Sequence, residues 1–329
     1  MSYIIVSSRV RLARNYEDLP FRSKITKEQS EACVQRTLNA LRSLPQPYSF
    51  LPLRDMEENE KRSLLESHLI SPDLMDHEEC GAVLIRMDQQ ISVMMNEEDH
   101  LRIQGFGKGD SLAEAAERAF SIDDALQDQL SFAFDPQLGY LTACPTNAGT
   151  GLRASMILHL PMLTQYKQMG KINQLAAKLG LTLRGIYGEG SEAQGNLYQL
   201  SNQVTLGRTE KEMIDAVTAT ARQISEMEAI HRAKAADRDL TALEDQLFRS
   251  FGLLSNARLM PIKEFMQHWS NLRLGAAMEK LPISTETCDA LLTAAQPAHV
   301  RKAAGAAVSD RETDAHRSEL IRQTIKNGG

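Results

Sequence analysis

The sequence predicts an α+β fold: a largely antiparallel sheet flanked by helices, followed by an all-helical C-terminal domain. Three observations predict it. Short apolar runs of strand length alternate with capped helical segments through the first two-thirds of the chain. Two of those runs, 82–87 and 91–95, flank the polar turn Asp88-Gln89-Gln90, the mark of a hairpin. After Gly207 strand signals cease and Ala, Leu, Glu, Lys and Arg dominate.

In chain order, Ser7-Ser8-Arg9-Val10-Arg11 reads as a strand in which Arg9 and Arg11 point to one face. Thr26-Lys27-Glu28-Gln29 and Ser111-Leu112-Ala113-Glu114 are capping boxes that open helices on either side of the hairpin. Further short strands are expected over Leu138–Ala143, Leu181–Arg184 and Leu197–Val204. Thr209-Glu210-Lys211-Glu212 caps the next helix, Pro261, Pro282 and Pro297 punctuate helical segments, and Ser309-Asp310-Arg311-Glu312 caps a last helix towards Lys326. The division expected is a catalytic domain over 1–231 and a helical domain over 232–329.

The 329 residues carry 37 Lys and Arg against 43 Asp and Glu, a net charge of -6, which argues against a nucleic-acid partner. Cys33, Cys80, Cys144 and Cys288 form no C-x-x-C pair, so neither a zinc site nor a disulfide framework is expected. No apolar stretch approaches membrane-spanning length, and the expected location is the cytoplasm.

The chemistry lies in loops that end apolar runs. Asn96-Glu97-Glu98-Asp99-His100-Leu101-Arg102 and Arg184-Gly185-Ile186-Tyr187-Gly188-Glu189-Gly190 each pair carboxylates with arginine, and Cys144-Pro145-Thr146-Asn147 adds a thiol. Carboxylates suit a planar cation and arginines suit phosphates, so the combination points to phosphoryl transfer onto a guanidinium. A protonated guanidinium is no nucleophile until a base takes a proton, a task for Glu98 and Glu189 in their loops. Gly188 and Gly190 let the backbone around Glu189 approach a ligand closely. Gly105-Phe106-Gly107-Lys108-Gly109-Asp110 lacks the spacing and hydroxyl of a phosphate-binding loop, and no H-R-D or D-F-G set occurs. Arg9, Arg11, Arg102, Arg153 and Arg184 are the alternative phosphate holders. The competing readings are ordinary surface arginines, a solvated turn at 96–99 and a buried thiol.

These motifs, S-S-R-V-R, N-E-E-D-H-L-R, C-P-T-N-x-G-T and R-G-x-x-G-E, resemble those of the ATP:guanido phosphotransferases over residues 7 to about 230. The form R-G-x-Y-G-E-G-S-E, with Tyr187 where many members have arginine, and the helical extension are similar to the bacterial protein arginine kinases. The resemblance implies a phosphagen-kinase catalytic fold without the family's front domain, and use of ATP with Mg2+. It assigns nucleotide binding to Ser7, Ser8, Arg9, Val10, Arg11, His68, Arg102, Arg153, Ala154, Ser155, Met156, Ile157, Arg184, Gly185, Ile186, Tyr187 and Gly188. Glu98, Glu189 and Cys144 become catalytic, and Glu97 reaches magnesium through water. It also implies protein substrates bearing arginine, a homodimer, and an activator protein and a Clp-type protease or chaperone as partners. The subfamily's phosphoarginine motif R-D-x-x-R-A is matched by Thr313-Asp314-Ala315-His316-Arg317-Ser318, which keeps Asp314 and Arg317 as regulatory residues and replaces the first Arg with Thr.

Overall fold

The computed structural model describes residues 3–42, 44–186, 193–305 and 308–327. Its strands are β1 (Ile5–Arg14), β2 (Tyr48–Pro52), β3 (Ala82–Arg86), β4 (Ile91–Met95), β5 (Leu101–Lys108), the short pair β6 (Phe134–Asp135) and β7 (Gly139–Tyr140), β8 (Leu152–His159), β9 (Leu181–Gly185) and β10 (Leu197–Asn202). Among the described residues all but β6 and β7 join one sheet in the order β2-β3-β4-β5-β1-β8-β10-β9. Every pairing in it is antiparallel.

Helices α1 (Lys27–Ala40), α2 (Glu58–Glu66), α3 (Pro72–Met75), α4 (Leu112–Gln127), α5 (Pro161–Gln165) and α6 (Met169–Lys178) connect the strands. Beyond β10 come α7 (Glu210–Arg238), α8 (Leu240–Asn256), α9 (Ile262–Ala277), α10 (Thr285–Ala294), α11 (Pro297–Ala304) and α12 (Asp310–Asn327). The Thr26 and Thr209 capping boxes both form. The one expected at Ser111 does not: Ser111 Oγ donates to Lys108 O at 2.6 Å, and its backbone N–H donates to Ser8 Oγ. The hydroxyl serves the β5–α4 turn instead of capping the helix.

Two other expectations change. Only Gly139 and Tyr140 of the expected strand 138–143 are extended and paired, because the chain folds back on itself where Tyr140 and Gly149 exchange backbone hydrogen bonds. Gly149 has φ 107°, and a Cβ there would stand 2.7 Å from Thr205 O, so the turn needs glycine. The strand expected over 197–204 ends at Asn202. Its side chain turns back instead, the amide donating to Leu152 O and the carbonyl accepting from Ala154 N. Helix α7 runs unbroken through position 232, where the second domain was expected to begin.

Pleating sorts the residues of the sheet onto two faces. On one, Val10, Leu12, Ile103, Ala154, Met156 and Leu200 join a core completed by α4, α6 and α7. Gly105 lets α4 close on the sheet, since a Cβ there would lie 2.0 Å from Ala115 O. On the other face, the register sets Arg9 opposite Ser155, Arg11 opposite Arg153, Ala13 opposite Arg102, and Gln199 opposite Arg184. Among the described residues this second face is covered at its two ends only. Val83, Ile85 and Met94 pack with Leu69 and Leu74 beside α2 and α3. Ile157, Ile186 and Leu197 pack into a second core built around Phe265, Trp269 and Leu291 of the C-terminal helices. Between these patches the arginine-bearing strands stay open.

Candidate active site

Strand β1 carries Arg9 and Arg11 outward because Val10 and Leu12 are fully buried beneath it. Arg102 on β5, Arg153 on β8 and Arg184 on β9 reach the same face by pairing register. Burial pushes the Arg11 guanidinium well below its ordinary pKa, and the neighbouring charges of Arg9, Arg102 and Arg153 push the same way. Arg153 is lowered by burial and by Arg184 and Arg102, and its Nε is buried without a hydrogen-bond partner. So many like charges held together are stabilised by an anion with several oxygens.

The cleft beside these arginines, about 310 Å³, is lined by Arg11, Arg102, Arg153, Glu98, Cys144 and Asn147 among others. Glu98 Oε2 accepts from Arg102 Nη2 at 3.0 Å and from Asn147 Nδ2 at 3.5 Å. Its side chain is 38% exposed, and desolvation raises its pKa against the pull of Arg102, with Asp99 and Glu97 adding to the rise. Cys144 Sγ lies 3.0 Å from Thr146 Oγ1, at the start of the single helical turn Pro145–Asn147. Residues scattered along the sequence, a carboxylate, a thiol and three arginines, thus share one concavity.

Glu97 is fully buried. Its Oε1 accepts from Arg102 Nη1 and Ser71 Oγ, both at 2.5 Å, and its Oε2 accepts from the backbone N–H of Glu98 at 2.8 Å. The carboxylate is therefore committed to holding Arg102 and the Glu98 loop. Among the described residues no group of three or more His, Cys, Asp or Glu could hold a metal ion.

A second cavity of about 540 Å³ adjoins along β1, its lining including Ser7, Ser8, Arg9, His68, Phe106, Ser155, Ile157 and Ile186. His68 has φ 60°, and its ring is pushed down to about 4 by burial and by Arg9 and Arg11. It is neutral at pH 7 and adds no charge to the arginine set.

Not every expected ligand faces the site. Val10, Ala154 and Met156 are wholly buried on the opposite, apolar face, so only their backbones stand in the functional strands. Gly185 ends β9, while Tyr187, Gly188 and Glu189 lie outside the described residues. Asp314 and Arg317 sit far along the chain in α12. Arg317 is buried, donating to Ala295 O and Met260 O at 2.7 Å and to Asp314 Oδ1 at 2.5 Å.

Sequence reasoning passed over the residues that fix the loops. Asn15 Oδ1 accepts from His100 N, and Asn15 Nδ2 donates to Asp99 Oδ1 and Leu141 O, joining the end of β1 to both functional loops. Arg14 is buried against Asp123 in a two-pronged ion pair and lies 3.5 Å from the centre of the Tyr140 ring. Ser71 was passed over as well. The available signal was an Arg-Asn pair closing β1 directly after the apolar Leu12-Ala13, where a charge must find a buried partner.

Residues 29–231 match the family model described as ATP:guanido phosphotransferase, C-terminal catalytic domain. Residues 240–328 match the Protein-arginine kinase McsB C-terminal domain. A protein named Protein-arginine kinase from Caldanaerobacter subterraneus is 40% identical over 322 residues, covering 97% of this chain and 96% of the relative. One of the same name from Syntrophomonas wolfei is 43% identical over 340 residues, covering 99% and 93%. Among solved structures, the duplicated taurocyamine kinase from Schistosoma mansoni with bound transition-state-analogue components superposes with a TM-score of 0.64 at 29% identity, over 74% of this chain and 36% of that one. Lombricine kinase gives 0.62 at 24% identity over 71% and 68%, a likeness of fold alone. An antiparallel sheet with arginines on its open face, matched by these relatives along nearly the whole chain, places the protein: it belongs to the ATP:guanido phosphotransferase family, in the branch that carries the protein-arginine kinase C-terminal domain.

Proposed function

We propose that this chain is a protein arginine kinase, moving the γ-phosphoryl group of ATP to arginine side chains of proteins. The observation that carries the reading is the single cleft in which Glu98, Cys144, Arg11, Arg102 and Arg153 meet. The triphosphate lies along the arginines, magnesium would neutralise part of its charge, and Glu98 and Cys144 hold the target guanidinium. Glu189, which the family's motif supplies, is the second carboxylate. A guanidinium nitrogen attacks the γ-phosphorus, a P–N bond forms as the P–O bond to ADP breaks, and Glu98 takes the departing proton. Its raised pKa makes it a better proton acceptor than an ordinary carboxylate. Arginines already placed around the phosphates need little rearrangement as charge shifts to the leaving ADP.

Residues 1–231 serve as the catalytic part and 232–329 as a helical part that supports a homodimer. Clp-type proteolysis is the fate of the marked proteins, an activator protein attends the kinase, and the setting is the cytoplasm. Among the described residues no helix is long and apolar enough to cross a membrane. The test is to incubate the full chain with ATP and mixed proteins and search for phosphoarginine by mass spectrometry without acid. Efficient turnover of free arginine with none on protein would replace this reading with a small-guanidine kinase. Nucleotide binding with neither product would leave a silent binding module.

A further inference from the structure

We propose that helix α10, in the C-terminal helical region, is part of the nucleotide site, forming the wall on which the base and ribose of ATP lie opposite His68. The inference rests on reading the arginine face as the phosphate site. Strand β1 orders that face: Arg11 lines the cleft with Glu98 and Cys144, and Arg9 lines the adjoining cavity. Alternate residues of a strand are roughly 7 Å apart. A triphosphate that starts at Arg11 and continues past Arg9 therefore delivers its nucleoside into the second cavity.

That cavity has two walls of different origin. The sheet and His68 form one, and Thr285, Ala290 and Thr293 of α10 line the other. Apolar Phe106, Ile157 and Ile186 with the hydroxyls of Ser7, Thr285 and Thr293 suit a flat heterocycle joined to a hydroxylated sugar. The residues matching the catalytic family model end at 231, so the α10 wall of this cavity is built by the other matched segment.

Two joints hold the walls together. On one side Arg273 is buried and grips Asp289 of α10 through Nε at 2.6 Å and Nη2 at 3.1 Å, while its Nη1 donates to Tyr3 O just before β1. On the other side Glu66 accepts the backbone N–H groups of Ala298 and His299 at the start of α11, with His299 Nδ1 2.9 Å away. Ser67 Oγ lies 3.1 Å from His299 Nε2. A carboxylate at a helix N-terminus is a favourable cap, and this one lies two residues from His68. The α10 wall is thus tied towards β1 through Arg273, the next helix, α11, is tied to the segment bearing His68, and a nucleoside in the cavity touches both walls.

Ala290 is exposed and lines the cavity, so Ala290→Phe fills the nucleoside half without disturbing packing. Calorimetry on the full chain should show ATP binding at least tenfold weaker in this variant and inorganic tripolyphosphate binding unchanged. Thr293→Leu, on the same wall, should shift the two ligands in the same unequal way. Equal ATP affinity in wild type and both variants would overturn the proposal, as would parallel loss of both ligands. If wild type itself binds neither ATP nor tripolyphosphate, the phosphate-site reading fails first and this inference falls with it.

Discussion

Asp99, next in the chain to Glu98, accepts a 2.7 Å hydrogen bond from the backbone N–H of Ala143, next in the chain to Cys144. The same oxygen accepts from Asn15 Nδ2 at 2.7 Å, and the carboxylate is wholly buried. The loop that bears Glu98 and the loop that bears Cys144 are therefore pinned to each other and to the end of β1.

We expect Asp99→Leu to be costly, because it leaves a buried Asn15 donor unpaired, on the order of 1–3 kcal/mol, and releases the Ala143 N–H from its acceptor. Denaturant unfolding should show that loss, and kcat should fall as the two loops part. Asp99→Asn keeps the accepting oxygen and should recover most of the stability. Equal stability and rate in wild type and Asp99→Leu would show that the pin does nothing.

Glu98→Gln should leave ATP binding near wild type and lower kcat by about 10² to 10³, the usual cost of a positioned catalytic group. The base works only when ionised, and desolvation raises its pKa above the ordinary carboxylate value. Activity should accordingly fade on acidification at a pH above that value, seen as the acid limb of kcat/KM. Asp99 adds to the rise, so Asp99→Asn should move the limb to lower pH. A limb that stays put in Asp99→Asn and persists in Glu98→Gln would assign the titration to another group.

Burial pushes the thiols of Cys33 and Cys288 up to about 12, leaving them almost wholly protonated at neutral pH. Cys144 is partly exposed in the cleft. Iodoacetamide should label Cys144 well before Cys33 or Cys288, with inhibition that ATP and a protein substrate together prevent. Peptide mapping against residual activity checks this. Full labelling of Cys144 with activity intact would remove it from the catalytic set.

Arg317 spends its donors on Ala295 O, Met260 O and Asp314. With Thr313 also in place of arginine, millimolar phosphoarginine should change neither the kinase rate nor the light-scattering mass of a dimer. Arg317→Met should instead destabilise the fold, on the order of 3 kcal/mol, by leaving buried acceptors unpaired. Strong activation by phosphoarginine would show that this arginine can be released to a ligand.

The sequence by itself determined the α+β class, the hairpin at 82–95 and the helix caps at Thr26, Thr209 and Ser309. Period-2 and helical patterning, Thr caps and charged residues at the ends of apolar runs are local properties, legible without neighbours. It also placed Arg9 and Arg11 on one face, since strand pleating follows from chirality and geometry alone. Only the tertiary structure decided which other residues join them, because the register of β1 with β5 and β8 is set by packing against α4 and α7. That register turns Arg102 and Arg153 towards Arg11 and turns Ala154 and Met156 away into the core. The fate of 138–143 was equally a long-range matter: its backbone pairs with Gly149 and Asp99 rather than with a strand of the sheet. The commitment of Glu97 to Arg102 and Ser71, and of Arg317 to distant carbonyls, was invisible for the same reason. A charge's partner depends on where the chain returns, and the α10 wall returns to β1 from more than 270 residues away.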